Sequence, residues 1–347
     1  MSKFYFLLAV SIMSCSQSFS LTKIELTKPT TIHDSPVGGK IHVITPDNVK
    51  ELLEIHHKAN GHCVTIKNIG DKGGSFTSAL YHATIPAGCG NNQEEKKVII
   101  KQLATEDEEV TNLEAVQSHA HLQKSQLAKG ININLPEGIY KTQNTTENGK
   151  KVRGAYVSIM PEATGKPLKA ILDEKDPNKT KEAFEAYGKM MALHHQKNMD
   201  HHSKPGSAEE AKLGSANNYK TYTHGDAHWD NAFYDSHKKE ITLIDNETMA
   251  NDGVIIKRNI AADISKATDH SSKFVGGCQD NQAVKASSSK CEESVLASSH
   301  FLKSYIANYP IEERPHIKSY IKTILGKNTG QMTKAGQYLF NNMLNSL

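Results

Sequence analysis

The stretch His224-Gly225-Asp226-Ala227-His228-Trp229-Asp230-Asn231, followed after a short apolar strand by Ile244-Asp245, constrains this chain more than any other feature. Asn231 lies five residues beyond Asp226, and Asp245 fourteen beyond Asn231. The first spacing is that of a loop. The second leaves room for a turn and for the strand Glu240 to Ile244, so the sequence predicts two oxygen ligands, one presented by a loop and one by a strand end. Hard oxygen ligands of this kind suit magnesium, and the carboxylate of Asp226 is left to face a reacting group.

The rest of the pattern changes character once along the chain. From Cys63 it reads as strands: Val64 and Ile66 alternate with polar neighbours, a glycine-rich turn covers Gly70-Asp71-Lys72-Gly73-Gly74, and Phe76 to Ile85 alternates again. The apolar run Val98-Ile99-Ile100 ends in Lys101, and Asp107 to Leu127 carries Val110, Leu113, Val116 and Ala120 at helical spacing. Gly138 to Lys141 and Gly154 to Met160 read as two more strands around a polar turn. Beyond Pro161 the spacing is helical over Lys166–Leu172, Lys179–Gln196, Ala261–Thr268, Glu292–Ala307, Ile311–Leu325 and Met332–Leu347. Leu21 to Asp47 shows no sustained period, and Pro46 to His57 reads as a short amphipathic helix. The expected class is α+β.

The order His-Gly-Asp, four residues, Asn, then Ile-Asp after a strand resembles the aminoglycoside phosphotransferase and choline kinase branch of the protein-kinase-like superfamily, over roughly Ile66 to Thr268. That resemblance implies a two-lobed fold, a small antiparallel-sheet lobe with one long helix and a larger helical lobe, with ATP and Mg2+ between them. It implies Asp226 as catalytic base or substrate-orienting acid, with His228 orienting Asp226 or touching substrate. Asn231 and Asp245 would hold the metal, and Lys101 would contact the phosphates with Glu114 as its partner, Glu108 and Glu109 being competing choices. Tyr156 to Pro161 looks like the hinge, which brings Met160 to the nucleotide. Gly73, Gly74 and Ser75 would offer backbone N–H groups to phosphate, although the tip lacks Gly-x-Gly-x-x-Gly. Asn246-Glu247 stands where the branch commonly has an aromatic residue.

The implied activity is transfer of the γ-phosphate to a hydroxyl of a small aminoglycoside-, choline- or sugar-like molecule. The alternatives are a protein acceptor, nucleotidyl transfer, or a non-catalytic nucleotide-binding protein. The corresponding division is residues 1–20 a signal peptide, 21–60 an N-terminal extension, 61–160 the first lobe and 161–347 the second, with a catalytic loop at 223–247.

Composition narrows the partners. A net charge of +3 with interleaved signs provides no basic stripe for a nucleic-acid backbone. Residues 1–20 read as a secretory signal: Lys3, the apolar stretch Phe4 to Met13, then Ser18 and Ser20. Ile12-Met13-Ser14-Cys15 is a poor lipoprotein box and the competing reading. No other apolar run approaches the roughly 18 residues that cross a bilayer, so a periplasmic or secreted protein is expected. Cys63, Cys89, Cys278 and Cys291 then form an even set, and proximity favours Cys63–Cys89 and Cys278–Cys291, the second stapling a polar loop over 270–291. The histidine pairs, among them His56-His57 and His194-His195, match no closed zinc spacing and are read as exposed helix residues.

Overall fold

The computed structural model describes residues 21–34, 39–70, 77–103, 132–199, 219–245, 257–268, 288–326 and 334–347. The alternating segments of the first half assemble a six-stranded sheet. Its members are β1 (Leu21–Ile24), β4 (Thr65–Asn68), β5 (Thr77–Ile85), β6 (Lys96–Leu103), β7 (Gly138–Thr142) and β10 (Tyr156–Pro161), in the order β1-β7-β10-β6-β5-β4. All neighbours run antiparallel except β1 and β7. A second sheet joins β2 (Thr31–Asp34), β3 (Lys40–Val43), β8 (Thr145–Glu147) and β9 (Lys150–Arg153) in the order β2-β3-β9-β8.

The stretch 21–47, which shows no sustained period in the sequence, thus contributes strands to both sheets. Strands of four residues are too short to show a period; β2 is exposed along its whole length, and β3 is buried on both faces at Ile41 and His42. Buried Gln102 ties the two sheets together, its side chain donating to His42 O (2.7 Å) and accepting from Ile44 N (2.9 Å). Helix α1 (Pro46–His57) begins at a reciprocal cap: the Thr45 side chain accepts from Asn48 N, and Asn48 Oδ1 accepts from Thr45 N. It buries Val49, Leu52 and Leu53 in the same apolar cluster as Ile85, Ile100 and Val157.

In the second half, β11 (Lys166–Pro167) leads into α2 (Leu168–Asp173), so the helix expected from Lys166 starts two residues later. Helix α3 (Pro177–Asn198) is capped by Asp176, which accepts from the N–H groups of Asn178 and Lys179. A two-stranded pair follows, β12 (Lys220–Thr221) with β15 (Arg258–Asn259). Strands β13 (Ala232–Asp235) and β14 (Glu240–Leu243) form a hairpin flanked by β11. Helices α4 (Ala261–Ala267), α5 (Ser288–Ala307), α6 (Arg314–Gly326) and α7 (Lys334–Ser346) complete the described residues. Leu168, Phe184, Tyr187, Leu243, Phe301, Ile317 and Phe340 belong to a second apolar cluster, which shares no member with the first. The chain is therefore mixed α and β, with sheet concentrated before residue 161 and helix after it. Residues 132–134 join the two parts: Asn134 N donates to Leu243 O (2.9 Å) and Leu243 N to Asn132 O (3.2 Å).

Among the described residues no helix is long and apolar enough to cross a membrane. Cys63 and Cys89 form a disulfide with Cα atoms 6.0 Å apart, as proximity predicted. Cys291 is also disulfide-bonded. The long helix expected over 107–127 and the glycine tip at 71–76 lie outside them too.

Candidate functional site

The loop from His224 is held by its own backbone as much as by its side chains. Gly225 sits at φ +81°, a left-handed conformation that glycine adopts without a Cβ clash. This turns two successive N–H groups, of His224 and Gly225, toward one buried carboxylate, Asp263, at 2.8 and 2.7 Å. The His224 ring is fully buried and bridges two segments: Nδ1 accepts from Asp226 N (3.2 Å) and Nε2 donates to Ile244 O (2.8 Å). That arrangement fixes its tautomer and couples the loop to the residue before Asp245. Ile244 N in turn donates to Asn231 O (3.0 Å), so Asn231 and the start of Asp245 are held by main-chain bonds.

Downstream, His228 caps the short 3-10 turn Trp229–Asn231, its Nδ1 accepting from Asp230 N (3.3 Å) and its Nε2 standing 3.4 Å from Asp226 Oδ2. Trp229 anchors the turn, donating from Nε1 to Ala267 O (2.8 Å) and packing edge-on against Phe184. Tyr187 donates to Ala227 O (2.7 Å) from within the core. His224 and Gly225 are thus tied to α4, Ala227 to α3, Trp229 to α4 and Asn231 to Ile244, which leaves the loop little backbone freedom.

Five of the residues expected at the site take part in these bonds. Asn231 Nδ2 donates to Asp226 O (2.9 Å) and Oδ2 (3.3 Å), which leaves its carbonyl oxygen as an acceptor. Lys101, buried on β6, reaches across a separation of 144 residues to place Nζ 2.9 Å from Asp245 Oδ1. Asp245 itself has φ +55°, a left-handed conformation costing a non-glycine residue about 1–3 kcal/mol. His228 completes the group beside Asp226. Met160 lies on β10 paired with Ile99, two residues along from the Ser158–Lys101 pair. Glu114, Gly73, Gly74 and Ser75, together with Asn246 and Glu247, lie outside the described residues.

Two residues that sequence reasoning passed over are central. Lys266 on α4 makes a short ion pair with Asp226 Oδ1. One turn earlier on the same helix, Asp263 receives the two loop N–H groups and, at 3.0 Å, His195 Nε2. His195 Nδ1 meets Tyr305 OH (2.7 Å), which meets Tyr309 OH (2.8 Å), so a buried polar chain runs from α5 to the loop. The signal for Asp263 was present. Ile260, Asp263, Ile264 and Ala267 occupy one helical row, and a carboxylate on an apolar face must have partners. His194 and His195, read as exposed, are fully buried on α3.

Electrostatics follow from this packing. Burial disfavours the Asp226 carboxylate, but the hydrogen bonds from His228 and Lys266 outweigh it and hold the group far below the usual carboxylate range. Burial likewise opposes ionisation of Asp263, and the hydrogen bond from His195 with the surrounding imidazoles holds it low. His194 is driven down to about 3 by burial, reinforced by His195 beside it. At neutral pH the site therefore presents ionised Asp226 paired with Lys266, and Asp245 paired with Lys101.

No family model matches this chain, and no curated protein matches it. Among solved structures, the crystal structure of an aminoglycoside-3'-phosphotransferase of type VIII is similar at a TM-score of 0.37 and 14% identity, covering 76% of this chain and 93% of that chain. At such distance the chemistry here has to be read from the side chains themselves.

Proposed function

We propose that this chain is a two-lobed, kinase-like phosphotransferase that moves the γ-phosphate of ATP, with magnesium, to a hydroxyl of a small molecule. The observation that carries the reading is the 2.9 Å pair between Lys101, buried in the first sheet, and Asp245, beside the loop of Asp226 and Asn231. A buried lysine next to a carboxylate and an amide oxygen is the chemistry that polyphosphate and magnesium require together.

The donor set fits the metal. Asn231 Oδ1 and the Asp245 carboxylate are hard oxygen ligands, and the Asp245 side chain keeps 42% of its surface open. Bound there, magnesium would neutralise charge on the phosphates. Lys101 would bind a phosphate oxygen on giving up Asp245. Asp226 stays ionised through the neutral range, which suits a carboxylate that accepts and orients an acceptor hydroxyl more than a strong base. His228 keeps that carboxylate aimed, and Lys266 sets positive charge where the transferred group would pass.

Export through the leader at residues 1–20 belongs to the same proposal, and the Cys63–Cys89 disulfide supports an oxidising destination. The acceptor class is carried by the sequence resemblance alone. Magnesium-dependent turnover of ATP labelled at the α or γ position, with aminoglycoside, choline, sugar and protein acceptors, tests the reading. Label from the γ position should move in wild type and drop by about 10³-fold or more in Asp226→Ala and Asp245→Ala. Transfer from the α position would replace the assignment by nucleotidyl transfer, and equal turnover in the variants would remove it.

A further inference from the structure

Helix α1 ends in His56 and His57, and its last turn faces the start of β7. The chain leaves the helix through Lys58 in a left-handed conformation (φ +52°), its N–H returned to Leu53 O. Both imidazoles then approach the same oxygen: His56 Nε2 is 3.5 Å and His57 Nε2 3.2 Å from Glu137 Oε2. The His57 side chain is only 5% exposed, and its buried Nε2 meets the Glu137 carboxylate at 3.2 Å. Two ring nitrogens and a carboxylate oxygen that converge in this way share either a proton or a cation.

The surroundings are shaped for the three side chains. Tyr140 OH lies 2.6 Å from His56 Nδ1, and an Nδ1–H donated there leaves the Nε2 lone pair directed at Glu137. A Cβ on Gly138 would come within 2.9 Å of His56 Cε1 and 3.0 Å of Tyr140 Cε2, so the ring is seated where only glycine allows it. Glu137 is fixed from behind by its N–H, which donates to Ile159 O at 2.7 Å. The ligand atoms of the trio lie within 4.8 Å of one another. Metal–ligand bonds of about 2.0–2.1 Å place tetrahedral neighbours about 3.3 Å apart, the separation seen from Glu137 Oε2 to each imidazole. The carbonyl end of a helix adds a field that favours a cation.

We propose that His56, His57 and Glu137 bind a divalent transition cation of the zinc class, two imidazole nitrogens and one carboxylate supplying three ligands and water the fourth. Imidazole donors exclude magnesium as the occupant, so this site is distinct in chemistry from that of Asn231 and Asp245. Its effect is to fasten the end of α1 to β7.

The test uses the full chain without its leader, stripped with chelator and titrated with Zn2+ by calorimetry. Saturation near one equivalent is expected, with Co2+ giving the visible absorption of a four-coordinate site. His57→Ala and Glu137→Gln should each weaken binding at least tenfold, and Tyr140→Phe, which removes only the outer partner, about tenfold. Half-exposed Glu137 makes Glu137→Gln the variant that reports if His57→Ala fails to fold; circular dichroism checks both. Absence of saturable binding, or binding equally tight in the variants, would overturn the proposal and leave the trio as an ion pair between helix and strand.

Discussion

At the scale of single residues the site is organised by Asp263 more than by the residues expected to do chemistry. It receives three donors while fully buried, so Asp263→Ala strands His195 and two main-chain N–H groups at once. Loss of about 3–5 kcal/mol in urea denaturation is expected, as for other broken buried pairs. Lys266→Met asks a separate question. Removing a cation from Asp226 disfavours its ionised form, so the Asp226 pKa should rise, read by carboxyl carbon NMR. His194 makes a pH prediction. Its folded pKa of about 3 lies below the unfolded 6.5, so the unfolded state binds more protons between these values. The contribution is therefore complete above pH 6.5 and declines as pH falls toward 3. Stability followed across that window in wild type should fall more steeply than in a His194→Gln variant that remains folded. Legibility at this scale was uneven. Asp226, Asn231, Asp245 and Lys101 share short spacings or adjoin apolar strands, and the sequence exposes them. Lys266 meets Asp226 only because α4 folds back across forty residues, and no local period encodes that.

Secondary elements were legible in proportion to their length and burial. Helices α3, α5, α6 and α7 carry apolar rows that end within a few residues of the expected limits. Strands β1, β2 and β3 are four residues each and invisible to a period of two, so neither the second sheet, which β2 and β3 enter, nor the place of β1 at the edge of the first was foreseen. The contact of α3 with α5 gives an element-scale prediction. A Cβ at Gly188 would lie 2.2 Å from Phe301 O and 2.9 Å from Tyr305 N, both main-chain atoms that cannot yield alone. Gly188→Ala should push the helices apart and cost about 1–3 kcal/mol of overpacking, against any gain in helix propensity. Thermal denaturation should register it as a lowered Tm.

For the whole molecule, the parts that hold the two apolar clusters are joined, among the described residues, by residues 132–134 against β14 and by Lys101 against Asp245. The proposed chemistry sits at that seam. Binding of a polyphosphate there would replace a protein ion pair by contacts to ligand from both sides, and so should raise the Tm of the chain. The most direct measurement separates binding from turnover: nucleotide affinity by calorimetry, with and without magnesium, beside γ-label transfer, for wild type, Asp245→Ala and Asp226→Ala. Asp245→Ala should lose the magnesium-dependent part of the affinity, while Asp226→Ala should keep it and lose transfer. Magnesium-dependent binding that survives Asp245→Ala unchanged, or transfer that survives Asp226→Ala, would contradict the proposed phosphotransfer.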